Sequence, residues 1–406
     1  YGVFDEKRYF ASGDESFIFE CQQTKVGVLI CEDQWIDGPI DRLCQSNVDV
    51  VVSLNASPFQ LNKQNDRIDI CKRYAVKFDL SFIYVNMVGG QDEVVFDGNS
   101  FVINNLGELT LQLPAFEEAC SQHNSITHLP SALSEEASIY SALVLATRDY
   151  IQKNSFGGAL IGLSGGIDSA LTLAIATDAI GAENVHAVMM PYQFTSEMSL
   201  EDSELQALTQ GVQFSKIDIH SMVDSFNFSL NDFFENTSPD STEENIQARV
   251  RGTLLMALSN KYHKIVLATG NKSEMAVGYA TLYGDMCGGF APLKDIPKTM
   301  VYRLSRYRNT ISPVIPERVI TRPPSAELAP NQVDQDTLPS YDVLDDILKR
   351  FVELKHSVTE ITSQGHRLEV VNKVTSMILR NEYKRRQTAQ GSQLRANPFG
   401  KALKSL

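Results

Sequence analysis

The sequence is short of basic residues relative to acidic ones, and it has no long apolar run. Its 36 Lys and Arg residues stand against 50 Asp and Glu, which gives a net charge of −14. Sequence-independent binding of nucleic acid needs a basic surface, so this excess of acidic residues argues against such binding. No stretch approaches the roughly 20 apolar residues that span a bilayer, and no basic-then-apolar leader opens the sequence. We expect neither a nucleic-acid nor a membrane partner.

Cysteine is also scarce, and its spacing excludes two further classes. The six cysteines are Cys21, Cys31, Cys44, Cys71, Cys120 and Cys287. Because they form no Cys-x-x-Cys pair and no even framework, they argue against a zinc site and against a disulfide-stapled fold. Such usage suits a reducing compartment and predicts a cytoplasmic protein. With 406 residues, 43% of them apolar, the chain exceeds one hydrophobic core, so two domains are expected.

The first 113 residues read as part of an α/β layer fold. Apolar runs predict strands at 25–30, 48–57 and 80–89, a helix at 65–79, and shorter strands at 94–96, 101–103 and 109–113 that resemble a meander. Residues 114–133 lose periodicity and collect Pro, Ser, His and Glu, which is typical of a linker. The predicted domains are therefore 1–113 and 134–406.

The second domain alternates strands with helices. Strands are predicted at 159–163, 185–190, 212–219 and 264–268, and helices at 168–179, 197–210 and 243–261. This alternation predicts a doubly wound parallel sheet, in which ligands bind at the carboxyl ends of the strands.

The stretch "LIGLSGGIDS" at 160–169 forms a strand-to-helix corner with unusual chemistry. Its glycines let the backbone approach a ligand, and the helix start offers unpaired N–H groups that suit phosphate. Asp168 would repel phosphates unless a divalent cation lay between, so it implies Mg²⁺. The loop lacks the Walker A spacing and its lysine. The alternative is a Gly-rich turn whose Asp and Ser only cap the helix.

The string resembles the SGGxDS signature of the ATP pyrophosphatase (PP-loop) family, which has an adenine nucleotide alpha hydrolase-like fold and cleaves ATP between the α and β phosphates. Three further motifs resemble the NAD⁺ synthetase family: "TEENIQARVRGTLLMALSN" at 242–260, "LATGNKSEMAVGYATLYGDMCGGFAPLKDIPKT" at 267–299 and "RPPSAELAPNQVDQDTLPSYDVLD" at 322–345. That resemblance implies ATP-dependent amidation of deamido-NAD⁺ through an adenylated intermediate, with release of AMP and pyrophosphate.

The resemblance also implies site residues in the second domain. The ATP-binding residues would be Gly162, Leu163, Ser164, Gly165, Gly166, Ile167, Asp168, Ser169 and Thr269. Asp168 and Glu274 would hold Mg²⁺, and Asn245 and Glu274 would contact deamido-NAD⁺. Thr269 and Glu274 follow a predicted strand, where α/β sheets present such groups. Asn245 and Arg249 share a helix face, so Arg249 could pair with a substrate phosphate or form only a surface salt bridge.

Cys31 lies directly after a predicted strand in "VGVLICEDQW", where a nucleophile could be exposed on a turn or a cysteine could simply be buried. The surroundings resemble the nitrilase family, a partial α-β-β-α fold here, and in particular the glutaminase half of glutamine-dependent NAD⁺ synthetases. By this resemblance, Cys31 would form a thioester with glutamine, and Tyr1, Ser57 and Lys63 would bind glutamine. Otherwise Ser57 is a turn residue and Lys63 a solvated charge.

The same resemblance places the family's catalytic glutamate and lysine before the "YGVFDE" string that opens the sequence. We therefore expect these residues to be part of a longer protein, and expect residues 1–406 alone to use free ammonia. The substrates would be ATP, deamido-NAD⁺ and glutamine or ammonia, and the family implies a homo-oligomer. Two other functions stay open: a Cys31 amidohydrolase with a nucleotide-sensing second domain, and a non-catalytic adenylate-binding protein, which the acidic pair Asp168 and Glu274 disfavours.

Overall fold

A computed structural model describes residues 6–122, 129–330 and 332–395, and it divides into two compact units. The first unit comprises residues 1–89 and 95–134, and the second comprises 90–94 and 135–406. In the described part of the chain, no helix is both long and apolar enough to cross a bilayer.

The first unit is built on a mixed six-stranded sheet. The strands along this part of the chain are β1 (Phe17–Cys21), β2 (Thr24–Ile30), β3 (Val50–Asn55), β4 (Ser81–Asn86), β5 (Val88–Gln91), β6 (Val94–Asp97), β7 (Phe101–Ile103) and β8 (Leu109–Gln112). The sheet order is β1-β2-β3-β4-β7-β8, with β2, β3 and β4 parallel and the other pairings antiparallel. The helices are α1 (Pro39–Cys44) and α2 (Lys63–Phe78), with 3₁₀ turns at Glu6–Arg8 and Cys31–Gln34.

One face of this sheet carries the core of the first unit. Cys71, Tyr74 and Ala75 of helix α2 pack in one buried cluster with Phe82 and Tyr84 of β4. Apolar side chains also point to the other face, because side chains alternate along a strand.

That other face is partly open. A row of paired residues crosses the three parallel strands: Ile30 lies opposite Leu54, and Leu54 lies opposite Val85. These three side chains are exposed. The expected meander is wrong in one respect, because β6 forms a separate two-stranded sheet with β5 and only β7 and β8 extend the main sheet. Strand β1 was not predicted.

The second unit contains a four-stranded parallel sheet. Its strands are β9 (Ala159–Gly162), β10 (Val185–Met189), β11 (Gln213–Lys216) and β12 (Ile265–Val266), in the order β11-β10-β9-β12. The helices that precede or connect them are α3 (Glu135–Lys153), α4 (Ile167–Ile180), α5 (Glu197–Gln210), α6 (His220–Leu230) and α7 (Ser241–Tyr262), with a 3₁₀ turn at Ala182–Asn184. The predicted doubly wound sheet is confirmed.

This strand order reverses at β9, which pairs with β10 on one side and with β12 on the other. Such a reversal opens a crevice at the carboxyl ends of the two strands, where ligands bind in doubly wound folds. Both α4 and α7 pack against β9. The loop after β9 and the loop after β12 therefore meet at the crevice.

The rest of the second unit is helical. It comprises α8 (Lys272–Val277), α9 (Lys298–Ile311), α10 (Glu317–Thr321), α11 (Tyr341–Leu348), α12 (Val358–Ser363), α13 (Leu368–Arg380) and α14 (Glu382–Arg385), with a 3₁₀ turn at Asp334–Asp336 and a π-helical turn at Lys349–Glu353. Helices α11 and α13 bury apolar faces against Ala276 and Val277 of α8. Glu274, one of the predicted site residues, belongs to α8 in this layer.

Candidate active sites

The loop between β9 and α4 is shaped by one glycine and two hydroxyls. Gly165 has φ of +81°, and a Cβ there would lie 2.7 Å from the Ser199 carbonyl oxygen, so only glycine fits. The Ser164 hydroxyl accepts from the Gly166 N–H at 3.2 Å and lies 3.2 Å from the Ser169 hydroxyl. The serines thus hold the loop open around the start of α4, whose unpaired N–H groups carry the positive end of the helix dipole.

A cavity of about 580 Å³ opens at this helix start. Of the predicted ATP-binding residues, it is lined by Gly162, Leu163, Ser164, Gly166, Ile167, Asp168, Ser169 and Thr269. Gly165 is not among the lining residues, whereas Glu274 is. The structure therefore brings the loop after β9 and the loop after β12 together on one cavity, as the sheet reversal requires.

The acidic residues predicted to bind metal meet at a buried lysine. The Lys298 ammonium donates to Asp168 at 2.5 Å and to Glu274 at 2.8 Å. Its side chain is 3% exposed, against 16% and 17% for the two carboxylates. Asn271 adds a second tether, because its amide donates to Asp168 at 2.8 Å while its oxygen caps α8 by accepting from the Glu274 N–H. Sequence reasoning missed both Lys298 and Asn271.

The charges in this cluster perturb one another. Burial raises the pKa of Glu274 to about 7, and Asp168 adds to the rise against the opposing effect of Lys298. For Lys298, burial favours the neutral amine, but Asp168 and Glu274 overcome it and raise the pKa of the ammonium. The two pKa shifts are consistent, because two carboxylates stabilise the one ammonium of Lys298, whereas Glu274 has only a share of that ammonium against its burial.

Two arginines also reach this cavity. Arg251 donates from Nε to the Met190 carbonyl at 3.0 Å, and burial lowers its pKa to about 10. Arg322 donates to the Gly165 carbonyl. Both residues line the same cavity as the acidic cluster and add positive charge to it. Neither was predicted, because each arises from a contact between distant parts of the chain.

The segment around Glu327, residues 322–329 with 332–334, lines part of the cavity. Glu327 fixes it by accepting hydrogen bonds from the Ser196 and Ser199 hydroxyls, each at 2.8 Å. Ser196 is the N-cap of α5, so a carboxylate sits at the positive end of that helix. This contact joins the segment to the start of α5.

Asn245 does not line the cavity. On helix α7 the lining positions are Ala248, Arg251, Gly252 and Leu255. Asn245 instead accepts from the Thr281 hydroxyl at 2.7 Å, and Arg249 donates to the Leu282 carbonyl at 3.3 Å. The expected shared face exists, but it meets the Gly-rich loop after α8 rather than the cavity.

The C-terminal part of the second unit supports the same loop. Lys384 donates to the carbonyls of Gly278 and Ala280 at 2.8 and 2.7 Å. Gln393 donates to Glu93, and Arg395 pairs with Glu353 at 3.1 Å.

In the first unit, Cys31 lies at the end of β2 as expected. It begins the 3₁₀ turn Cys31–Gln34 with φ of +46° and is half-buried. A left-handed backbone at a non-glycine residue is strained and is common at functional sites. Lys63 approaches the same turn, because its ammonium lies 4.2 Å from the centre of the Trp35 ring.

Ser57 is buried and belongs to a polar network. Its N–H donates to the Asn86 side chain at 2.9 Å, and Arg67 donates to its hydroxyl at 3.2 Å. Arg67 also forms a fully buried pair with Asp97 at 2.8 Å, which sequence reasoning missed. Tyr1, the third predicted glutamine-binding residue, lies outside the described residues.

Comparison with known proteins adds independent information. The carbon-nitrogen hydrolase family matches residues 2–131, and the NAD synthase family matches residues 139–388. A glutamine-dependent NAD(+) synthetase from Acinetobacter baylyi is 52% identical over 412 residues, covering 99% of this chain and 76% of that protein. One from Aquifex aeolicus is 43% identical, covering 99% and 78%.

A solved structure gives the same result. The glutamine-dependent NAD⁺ synthetase from Acinetobacter baumannii, determined in complex with ADP, is 51% identical with a TM-score of 0.76, covering 99% of this chain and 76% of that one. The order of the two matched families along the chain agrees with the sequence resemblance. The chain belongs to the glutamine-dependent NAD⁺ synthetase family.

Proposed function

We propose that the chain catalyses the ATP-dependent amidation of deamido-NAD⁺ to NAD⁺, with AMP and pyrophosphate as products. Glutamine is the source of the ammonia where the family's catalytic glutamate and lysine accompany Cys31, and residues 1–406 alone take free ammonia. The observation that carries the proposal is the cavity at the sheet reversal, where the phosphate loop and the residues after β12 line one space. The family membership gives the substrates.

The first step is adenylation of the substrate carboxylate. One carboxylate oxygen of the nicotinate group attacks the α-phosphorus of ATP, the bond to the β-phosphate oxygen breaks, and pyrophosphate leaves. The N–H groups at the start of α4, together with Arg251 and Arg322, stabilise the negative charge on the phosphates. Ammonia then attacks the carbonyl carbon, AMP leaves, and the amide forms after loss of a proton.

Asp168 and Glu274 would hold Mg²⁺ beside the phosphates. Among the described residues, no group of three or more His, Cys, Asp or Glu side chains could hold a metal unaided. Two carboxylates that already share the Lys298 ammonium nevertheless form a site for positive charge, and Mg²⁺ commonly takes one or two carboxylates with water and substrate phosphate. When bound, the metal would neutralise charge on the departing pyrophosphate.

Cys31 would release the ammonia. Its thiolate attacks the glutamine carboxamide carbon, ammonia leaves, and water hydrolyses the thioester to glutamate. Ser57 and Lys63, with Tyr1, are the proposed glutamine-binding residues. The turn geometry at Cys31 and the position of Lys63 near Trp35 support these roles.

The test is a product assay with deamido-NAD⁺, ATP and Mg²⁺, run once with ammonium and once with glutamine. With ammonium, residues 1–406 should form NAD⁺ and AMP in equal amounts, and Asp168→Asn should abolish this synthesis. The glutamine-dependent reaction is expected of a protein that also carries the family's catalytic glutamate and lysine, and there Cys31→Ser should abolish that reaction alone. Glutamine hydrolysis without AMP formation would refute the ligase and favour a Cys31 amidohydrolase.

We further propose a cytoplasmic homo-oligomer that acts on small molecules. All six cysteines lie in the described part of the chain and none forms a disulfide, which supports a reducing compartment. The oligomeric state rests on the family resemblance alone. Light scattering on the purified protein measures it directly, and a monomer would refute the proposal.

A further inference from the structure

Asp345 on α11 lies behind the cavity and binds the starts of two other helices. One carboxylate oxygen accepts from the Ser273 hydroxyl, and the other accepts from the N–H and the hydroxyl of Thr299 at 2.9 and 2.7 Å. None of these three residues lines the cavity. The contacts therefore form a layer that supports the cavity wall from outside.

Both partners of Asp345 adjoin the acidic cluster. Ser273 immediately precedes Glu274 at the start of α8, and Thr299 immediately follows Lys298 at the start of α9. The Lys298 N–H also donates to the Ser273 hydroxyl at 2.8 Å. One carboxylate thus fixes the backbone on both sides of the Lys298–Glu274 ion pair.

Helix α8 has the Asn271 cap at its first turn, whereas helix α9 has no side-chain cap at its N-cap residue. Helix α9 begins after Pro297, which offers no side-chain cap, so Asp345 supplies an acceptor for the Thr299 N–H. Helix α8 has only six residues and is too short to hold a fixed direction by itself. Asp345 also ends the third synthetase-like motif, at 322–345, and the proposed chemistry has so far given it no role.

We propose that Asp345 is a positioning residue that sets the distance between Glu274 and Lys298, and through Lys298 the place of Asp168, during adenylation. This inference rests on the proposed function. A carboxylate is required because it accepts all three hydrogen bonds. An asparagine would turn an N–H₂ group toward donors and leave at least one of them unpaired.

The test compares Asp345→Asn with Asp346→Asn in the ammonium-dependent assay. Asp346 is a matched control, because it is the next residue and forms its own pairs with Arg350 at 2.7 Å and His366 at 2.6 Å. We expect Asp345→Asn to lower kcat/KM for ATP by about 10- to 100-fold, as loss of a supporting shell commonly does. The KM for deamido-NAD⁺ and all constants of Asp346→Asn should stay within about twofold.

The Thr299 hydroxyl gives a second, milder probe. Thr299→Ala should lower kcat/KM for ATP, and Thr299→Ser, which keeps the hydroxyl, should restore it. If both residues act through one contact, the losses in the Asp345→Asn/Thr299→Ala double variant should not add. Wild-type rates in Asp345→Asn, or equal losses in Asp345→Asn and Asp346→Asn, would overturn the proposal.

The proposal can still be tested if Asp345→Asn does not fold or if the wild-type chain makes no NAD⁺. If Asp345→Asn does not fold by circular dichroism, the Thr299→Ala and Thr299→Ser pair decides, and equal activity in both contradicts the proposal. If the wild-type chain makes no NAD⁺, the proposed function fails, but a crystal structure of Asp345→Asn still tests the positioning. An unchanged Glu274–Lys298–Asp168 contact in that crystal would overturn it.

Discussion

Replacing Lys298 by methionine should destabilise the second unit and make its stability depend on Mg²⁺. The substitution keeps the apolar stem but leaves Asp168 and Glu274 facing each other without the ammonium that now lies 2.5 and 2.8 Å away. Removing one member of a buried ion pair typically costs 3–5 kcal/mol. Because the carboxylates keep some contact with water, we expect a loss near the lower end, about 3 kcal/mol.

The measurement is urea unfolding followed by far-UV circular dichroism, since the single tryptophan, Trp35, lies in the first unit and would not report on the second. Millimolar Mg²⁺ should recover much of the loss in Lys298→Met, because a ligand that binds only the folded state stabilises it. The control is the same substitution in an Asp168→Asn/Glu274→Gln background, where it should cost little. A loss below about 1 kcal/mol in the wild-type background, or an equal loss in both, would refute the reasoning.

Two other variants test charges at the two sites. The pKa of Glu274 is raised from 4.5 to about 7, so the protonated side chain stabilises the folded state at low pH, and this stabilisation is lost as the pH rises through 7. The urea midpoint of the wild-type chain should therefore fall between pH 5 and 8, and Glu274→Gln should remove this pH dependence. In the first unit, Arg67→Met leaves Asp97 buried without its partner, so it should cost about 3–5 kcal/mol in Trp35 fluorescence unfolding curves, and a loss within 0.5 kcal/mol of zero would contradict the buried pair.

The parts of the fold that sequence predicted are those fixed by local pattern. The apolar run before Leu163 and the apolar helix after it are separated by a Gly-rich corner, and the structure contains them as β9 and α4. The short helices α8, α10, α12 and α14 have four to six residues, fewer than two turns, so no apolar period can identify them.

The site residues that the sequence predicted also belong to local motifs, and those it missed depend on contacts between distant parts of the chain. Asp168 was found because a carboxylate in a glycine loop is chemically conspicuous, whereas Lys298 reads as an ordinary charge after a proline. Its role depends on the folded structure, in which it contacts Asp168, a residue 130 positions earlier in the sequence. Asn245 illustrates the converse. Its helix was predicted correctly, but the cavity begins at Ala248, one turn further along, so a helix assignment alone could not place its side chain.

The charge distribution at the cavity links the fold to the proposed chemistry. One ammonium serves two carboxylates, so the cluster retains excess negative charge beside a loop built for phosphates. Without further positive charge, Asp168 and Glu274 would repel the nucleotide phosphates, against the attraction of the start of α4 and of the cavity arginines. ATP binding should therefore depend on Mg²⁺ far more in the wild-type chain than in an Asp168→Asn/Glu274→Gln variant, where the repulsion that the metal relieves is absent.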